Sequence, residues 1–309
     1  MEKILEAIKE ALLYFTHPDE RIYYPYLLCS IVITAIVFLI HNKSFKGLIK
    51  YIFPYKRLIH ISSINDILLL IINHVINICF FLPFLINSIV LAYYLQQWMN
   101  ENIGYSNIKL SDGEAVFYYA LTYFVMNDFS RYLLHLLLHK NRVLWEFHKV
   151  HHSAEVLTPI TLYRVHPLES ILFQLRGVFV GGFVSGIFLW IYSYSISPYV
   201  VWGVHVGTFA FNILGANLRH SHVWFSFGKY LERIFISPAQ HIIHHSNNPK
   251  HFNKNMGSEL AIWDWLFKTL YITKEKEEIS FGVEESKEHR SLIKMLFNPF
   301  LKAFKFNKK

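Results

Sequence analysis

Apolar residues run through this chain in long unbroken blocks, neither alternating as in a half-buried strand nor striped as in a soluble helix. The first block, "IYYPYLLCSIVITAIVFLI" at 22–40, approaches the roughly 20 residues that a helix needs to cross a bilayer. The next, "INDILLLIINHVINICFFLPFLINSIVLAYYLQQWM" at 64–99, is long for one crossing and carries Pro83 near its middle. One kinked, tilted helix is expected there in preference to a tight hairpin. A third block spans 115–139, and 168–191 and 197–215 read as two spans joined at "YSYSISP". Residues 1–20 alternate acids with apolar residues at helical spacing, and the tail from 272 is charged, then basic and amphipathic; both predict segments lying on a membrane surface.

The expected fold is all-α: a multi-pass membrane protein of about four transmembrane helices, with a cytoplasmic-face helical cap. Three parts are expected: 1–110, with the first two spans; 111–271, a histidine-rich catalytic region; and 272–309, the tail. Within 168–191, Gly177 and Gly181, then Gly182 and Gly186, form small-xxx-small pairs that predict close helix packing.

Composition agrees, since 53% of the residues are hydrophobic and 17% charged, too apolar for an ordinary soluble domain. The net charge of +8 would suggest nucleic acid in a soluble protein. Here Lys43, Lys46, Lys50, Lys56 and Arg57 share one acid-free loop, the mark of a cytoplasmic loop and of a surface for acidic lipid headgroups. No nucleic-acid partner is expected. Cys29 and Cys79 lie inside apolar runs, which argues against a disulfide framework or a cysteine metal site. The start, "MEKILEAIKEALLYF", lacks the features of a cleaved signal.

Histidine is the unevenly distributed residue. Of 18, 13 fall between His135 and His251. "HLLLH" holds His135 and His139; "HKVHH" holds His148, His151 and His152; "HIIHH" holds His241, His244 and His245. Residues three and four apart share a helix face, so each cluster can converge. Neutral imidazole ligates iron, zinc, copper or nickel. Eight imidazoles from three segments exceed what one ion takes, which suggests two ions. "NLRHSH" adds His220 and His222; an i, i+2 pair cannot share a helical face, so one of them is expected to coordinate, with His222 preferred. His166 and His205 are isolated and read as hydrogen-bonded packing residues, His166 being a possible outer partner of the ligands. Asp128, Glu146, Glu155, Glu169 and Asp264 are candidate acceptors for ligand N–H groups, Asp264 foremost.

On these residues, together with "SPAQHIIHHS" and "NKNMGSELAIWDWLFKT", the chain resembles the fatty acid hydroxylase/sterol desaturase superfamily of integral-membrane di-iron enzymes. The likeness covers about 115–270. Lys268 stands where many members have glycine. The resemblance implies two iron ions, held by the ten histidines of the clusters, that use O₂ to hydroxylate or desaturate a lipid C–H bond. The loop charges and the span count place the active site at the cytoplasmic face, in the inner membrane if the source is bacterial. No dinucleotide fingerprint or haem attachment motif is present, so a separate electron donor is implied, a small cytochrome or a ferredoxin. The competing expectations are a membrane metal transporter or metal-binding protein, whose ligands belong at the bilayer midplane, and a zinc hydrolase, which needs only three protein ligands.

Overall fold

Tyr24–Asn42 forms a 19-residue helix, α2, with its polar residues inside. Ser30 and Thr34 are buried with Tyr26, Val37 and Phe38, whereas Leu28, Val32, Ile36 and Ile40 point outward. The two buried hydroxyls are satisfied within the helix, Ser30 Oγ donating to the Tyr26 carbonyl (2.8 Å) and Thr34 Oγ1 to that of Ser30 (2.7 Å). An apolar face turned away from the protein is what lipid contact requires.

The structure is a computed structural model that describes residues 2–18, 20–42, 44–78, 88–192, 209, 211–273 and 275–306. Among the described residues every regular element is helical, and β pairing is limited to the bridges Phe235 with Leu260 and Ser246 with Phe281. Before α2 comes α1 (Glu2–Leu12); after it come the short α3 (Leu48–Ile52) and α4 (Tyr55–Leu58) and then α5 (Ile61–Ile76). Further on lie α6 (Ser88–Asn102), α7 (Asp112–Lys140), α8 (Arg142–His152) and α9 (Pro167–Tyr192). The later helices Pro238–His244, Ile262–Leu266 and Leu292–Phe306 complete the site and its cover.

Among the described residues two helices, α2 and α9, are long and apolar enough to cross a membrane, or three spans if Leu48–Leu58 and Ile61–Ile76, bent by 72°, count as one. The block 115–139 lies in α7, where Asn127, Asp128, Arg131 and His135 dilute the apolar character. The block 64–99 supplies α5 and α6, and its middle, with Cys79 and Pro83, lies outside the described residues. So do His205 and most of 197–215.

Glycine sets the helix packing of the membrane part. A Cβ on Gly182 would come within 2.6 Å of Leu91, and one on Gly186 within 2.9 Å of the Ala92 carbonyl oxygen. These two positions let α6 lie directly against α9, the close packing that the small-residue spacing predicted. Gly177 has nothing within 4 Å and plays no part in it.

Two corners position the histidines. Asn141 ends α7, and its Oδ1 accepts from Val143 N (2.9 Å) and Leu144 N (3.1 Å), so one residue stops α7 and caps α8. That turn folds His148 and His152 back onto His135 and His139. At the far end of α8, the buried Arg164 donates to the carbonyls of Val150 (2.9 Å), Ser62 (3.2 Å) and His289 (3.2 Å) and pairs with Asp66 at 3.0 Å. The C-terminal helix closes this side, with Leu69, Val150 and Met295 in one buried cluster.

Candidate metal centre

Nine of the ten expected histidines converge, in two groups. His135, His139, His148, His152 and His244 form one, and His151, His220, His241 and His245 the other; within each group one ring nitrogen per residue lies within 4.8 Å of all the others. The two HxxHH clusters share their ligands reciprocally. The first gives its i, i+4 pair, His148 and His152, to the five-histidine group and His151 to the other. The second gives His241 and His245 to the four-histidine group and returns His244 to the first. The groups are adjacent, with the His152 and His245 rings stacked at 4.7 Å.

Hydrogen bonds on the far side of the rings fix which nitrogen faces inward. His135 Nδ1 donates to the Met256 carbonyl (2.8 Å), His151 Nδ1 to that of Arg164 (3.2 Å) and His244 Nδ1 to that of Lys254 (2.9 Å). His148 Nδ1 donates to Glu169 Oε1 (2.8 Å). A carbonyl can only accept, so in neutral His135, His151 and His244 the proton is on Nδ1 and Nε2 presents a bare lone pair; His148 takes the same tautomer with Glu169 as a carboxylate acceptor. His135 Nε2 and His148 Nε2 nevertheless stand 3.1 Å apart. Two lone pairs at that distance repel unless something positive lies between them. A shared proton is disfavoured, because burial pushes His148 and His151 down to about 3 and lowers His152, His220, His241, His244 and His245 well below the ordinary imidazole value.

A metal ion fits. A metal–nitrogen bond of about 2.1 Å sets neighbouring ligand nitrogens about 3.0 Å apart at a right angle and about 3.4 Å apart at the tetrahedral angle. The contacts His148–His139, His220–His151, His241–His220, His245–His220 and His245–His241 measure 3.1, 3.3, 3.0, 3.1 and 3.2 Å between Nε2 atoms. His152 Nε2 and His244 Nε2 are buried with no hydrogen-bond partner, as unused ligand atoms would be.

A model of the "Fatty acid hydroxylase" family matches residues 120–269, which contain all nine of these histidines. Residues 120–269 belong to the fatty acid hydroxylase family. Among characterised members, human alkylglycerol monooxygenase is 31% identical over 211 residues, 68% of this chain and 42% of that protein. The Xenopus tropicalis alkylglycerol monooxygenase is 31% identical over 156 residues, 50% of this chain and 31% of its own length. Ornithine lipid hydroxylase OlsE of Rhizobium tropici is 29% identical over 179 residues, 57% of this chain and 48% of that one. The chain spans less than half the length of these relatives. No solved structure matches it.

Other residues of this fatty acid hydroxylase region hold the rings from outside. Asp264 accepts from Met256 N (2.7 Å), Gly257 N (2.8 Å) and Thr269 Oγ1 (2.5 Å), and burial pushes its carboxyl up to about 6. It therefore acts on His135 through the Met256 backbone. Asp128 ties α7 to the same segment, accepting from Glu259 N, Leu260 N and Trp263 Nε1. Lys268 has φ of 63°, a left-handed conformation that glycine adopts without steric cost.

His222 stands apart from both groups. Ser221 is extended, so the rings of His220 and His222 leave opposite sides of the strand-like segment, and His222 Nε2 donates to the Tyr51 carbonyl at 2.8 Å. His166 bridges the Leu168 N–H and the Leu296 carbonyl, both at 3.1 Å, and touches none of the nine. The acid in contact with a cluster histidine is Glu169. The carbonyls of Met256, Arg164 and Lys254 were not anticipated, and no side-chain pattern could have signalled them, since every residue carries a carbonyl.

Proposed function

We propose that this protein is a membrane di-iron oxygenase that uses O₂ to hydroxylate or desaturate a C–H bond of a lipid. The observation that carries this reading is the bare Nε2 pair of His135 and His148 at 3.1 Å within two adjacent, all-imidazole groups. His135, His139, His148, His152 and His244 hold one iron; His151, His220, His241 and His245 hold the other. When bound, the iron pair supplies O₂ activation and C–H oxidation. The protein's own contribution is orientation. Met256, Arg164, Lys254 and Glu169 fix the ring tautomers, and Asp264 and Asp128 hold the segment that carries Met256. Burial of the rings excludes water from the metal side and keeps the imidazoles neutral.

The reading places about four crossings in the membrane, α7 among them, with the 111–271 region forming the catalytic part at the cytoplasmic face. In support, Tyr51, from the basic loop expected on that side, packs on the segment holding His220 and His222. Electrons come from a separate donor protein of the small cytochrome or ferredoxin kind. The test is purification of the chain with metal analysis, followed by lipid profiling of cells with and without the gene. A lipid one oxygen heavier or two hydrogens lighter, present with the gene and absent without it, is the expected result. Metal movement across the membrane with unchanged lipids would replace this reading with a transporter.

A further inference from the structure

A cavity of about 580 Å³ opens against the histidines, bounded on one side by His135, His148, His151, His220 and His241. Its size is ordinary for a small-molecule site, but its wall is unusually cationic. Arg21 from the segment before α2, Arg131 from α7, Arg176 from α9 and Arg219 from the turn at 216–220 all line it. Four distant stretches of chain thus bring guanidinium groups to one space beside the proposed iron pair.

These charges are under-neutralised. Among the described residues, none of the four guanidiniums has a carboxylate within 4.0 Å. The two acids on the wall are engaged, Glu169 with His148 and Glu20 with the Tyr163 hydroxyl at 2.8 Å. Behind the wall, Asp128 is saturated by three N–H donors; Glu259 attracts Arg21 and Arg219 without pairing with either. Arg219 is 2% exposed, lies over the Phe211 ring at 4.4 Å and, among the described residues, donates only to the Ile236 carbonyl at 3.4 Å. Its Nε has no partner, and neither has Nε of Arg176. A buried cation without a counter-ion is costly unless a ligand completes it, and guanidinium matches the planar, two-oxygen face of a phosphate or carboxylate. The unpartnered amide oxygens of Asn73 and Asn77, on the same wall, suit O–H or N–H donors beside that oxyanion.

We propose that this cavity is a head-group subsite selecting lipids that carry an oxyanion, phosphate or carboxylate. The proposal rests on the oxygenase reading only in taking the bound lipid to be the substrate.

The test uses the full, iron-loaded chain in neutral detergent and displacement of a fluorescent acyl probe by three competitors. These are lysophosphatidic acid, the monoacylglycerol with the same acyl chain, and inorganic phosphate. Lysophosphatidic acid is expected to bind at least about tenfold tighter than the monoacylglycerol, as one charge-assisted contact provides. Arg219→Gln and, separately, Arg131→Gln should erase most of that preference, weakening lysophosphatidic acid far more than monoacylglycerol. Equal affinity for the two lipids, or a preference that survives both substitutions, overturns the proposal. Inorganic phosphate binding as tightly as the lipid also overturns it, because the site would then serve a free anion. Thermal unfolding of the same samples identifies a variant that has lost its fold, and iron content separates the two ideas: wild-type chain that takes up no iron on reconstitution yet keeps the lipid preference refutes the oxygenase and retains the head-group site.

Discussion

Removing the carboxylate behind His148 isolates the contribution of one outer contact to metal binding. Glu169 Oε1 accepts from His148 Nδ1 at 2.8 Å, and both side chains are buried. A hydrogen bond to a charged group contributes about 1.5–3 kcal/mol. In Glu169→Ala the ring keeps its place on α8 but loses its fixed tautomer, so Nε2 is no longer held as a bare donor atom. At about 1.4 kcal/mol per tenfold, the expected loss is about 10–100-fold in affinity for the five-histidine ion, in line with other outer contacts to ligating histidines. Glu169→Gln keeps an acceptor oxygen without the charge and should lose about 3–10-fold. Competition with a coloured chelator, read against total metal content, measures both. Wild-type affinity in Glu169→Ala would refute the claim that this acid orients the ligand.

Three further outcomes follow from the same geometry. His220→Ala should remove one metal ion per chain while His222→Ala removes none, because His220 alone of the pair faces the group; metal content of the two purified variants decides it. The metal-free protein should lose stability as pH falls from 6.5 through about 3, since burial holds His148 and His151 at about 3 when folded and unfolding frees them to take protons near 6.5. Melting temperatures across that window should fall with acid, and a flat profile would contradict the neutral, buried rings. Gly186→Ala should destabilise the chain by about 1–3 kcal/mol, because the new methyl meets the Ala92 carbonyl oxygen at 2.9 Å; thermal unfolding in detergent reads the loss.

Much of the site was legible because helical spacing is local. His135 with His139, and the two HxxHH clusters, announce shared faces wherever the chain is helical. The exchange of His151 and His244 between the groups was not legible, because it depends on the mutual rotation of α8 and the helix at 238–244, a tertiary quantity. The same holds for His220 over His222: the sequence shows that one must turn away, and only the extended Ser221 decides which. Asp264 and Glu169 were reachable as carboxylates near the clusters, although Asp264 works through backbone rather than by touching a ring. The four cavity arginines come from stretches far apart in sequence and share no spacing that could have linked them. The membrane count was read from apolar length, and it is in α7, where polar residues face the site, that length and hydropathy part company.

The most direct test is metal stoichiometry. The chain, purified in detergent and reconstituted anaerobically with ferrous iron, should hold two irons, with His148→Ala depleting one site and His220→Ala the other. A wild-type chain that saturates at one ion or binds none, or a pair of variants that retains both irons, would contradict the account.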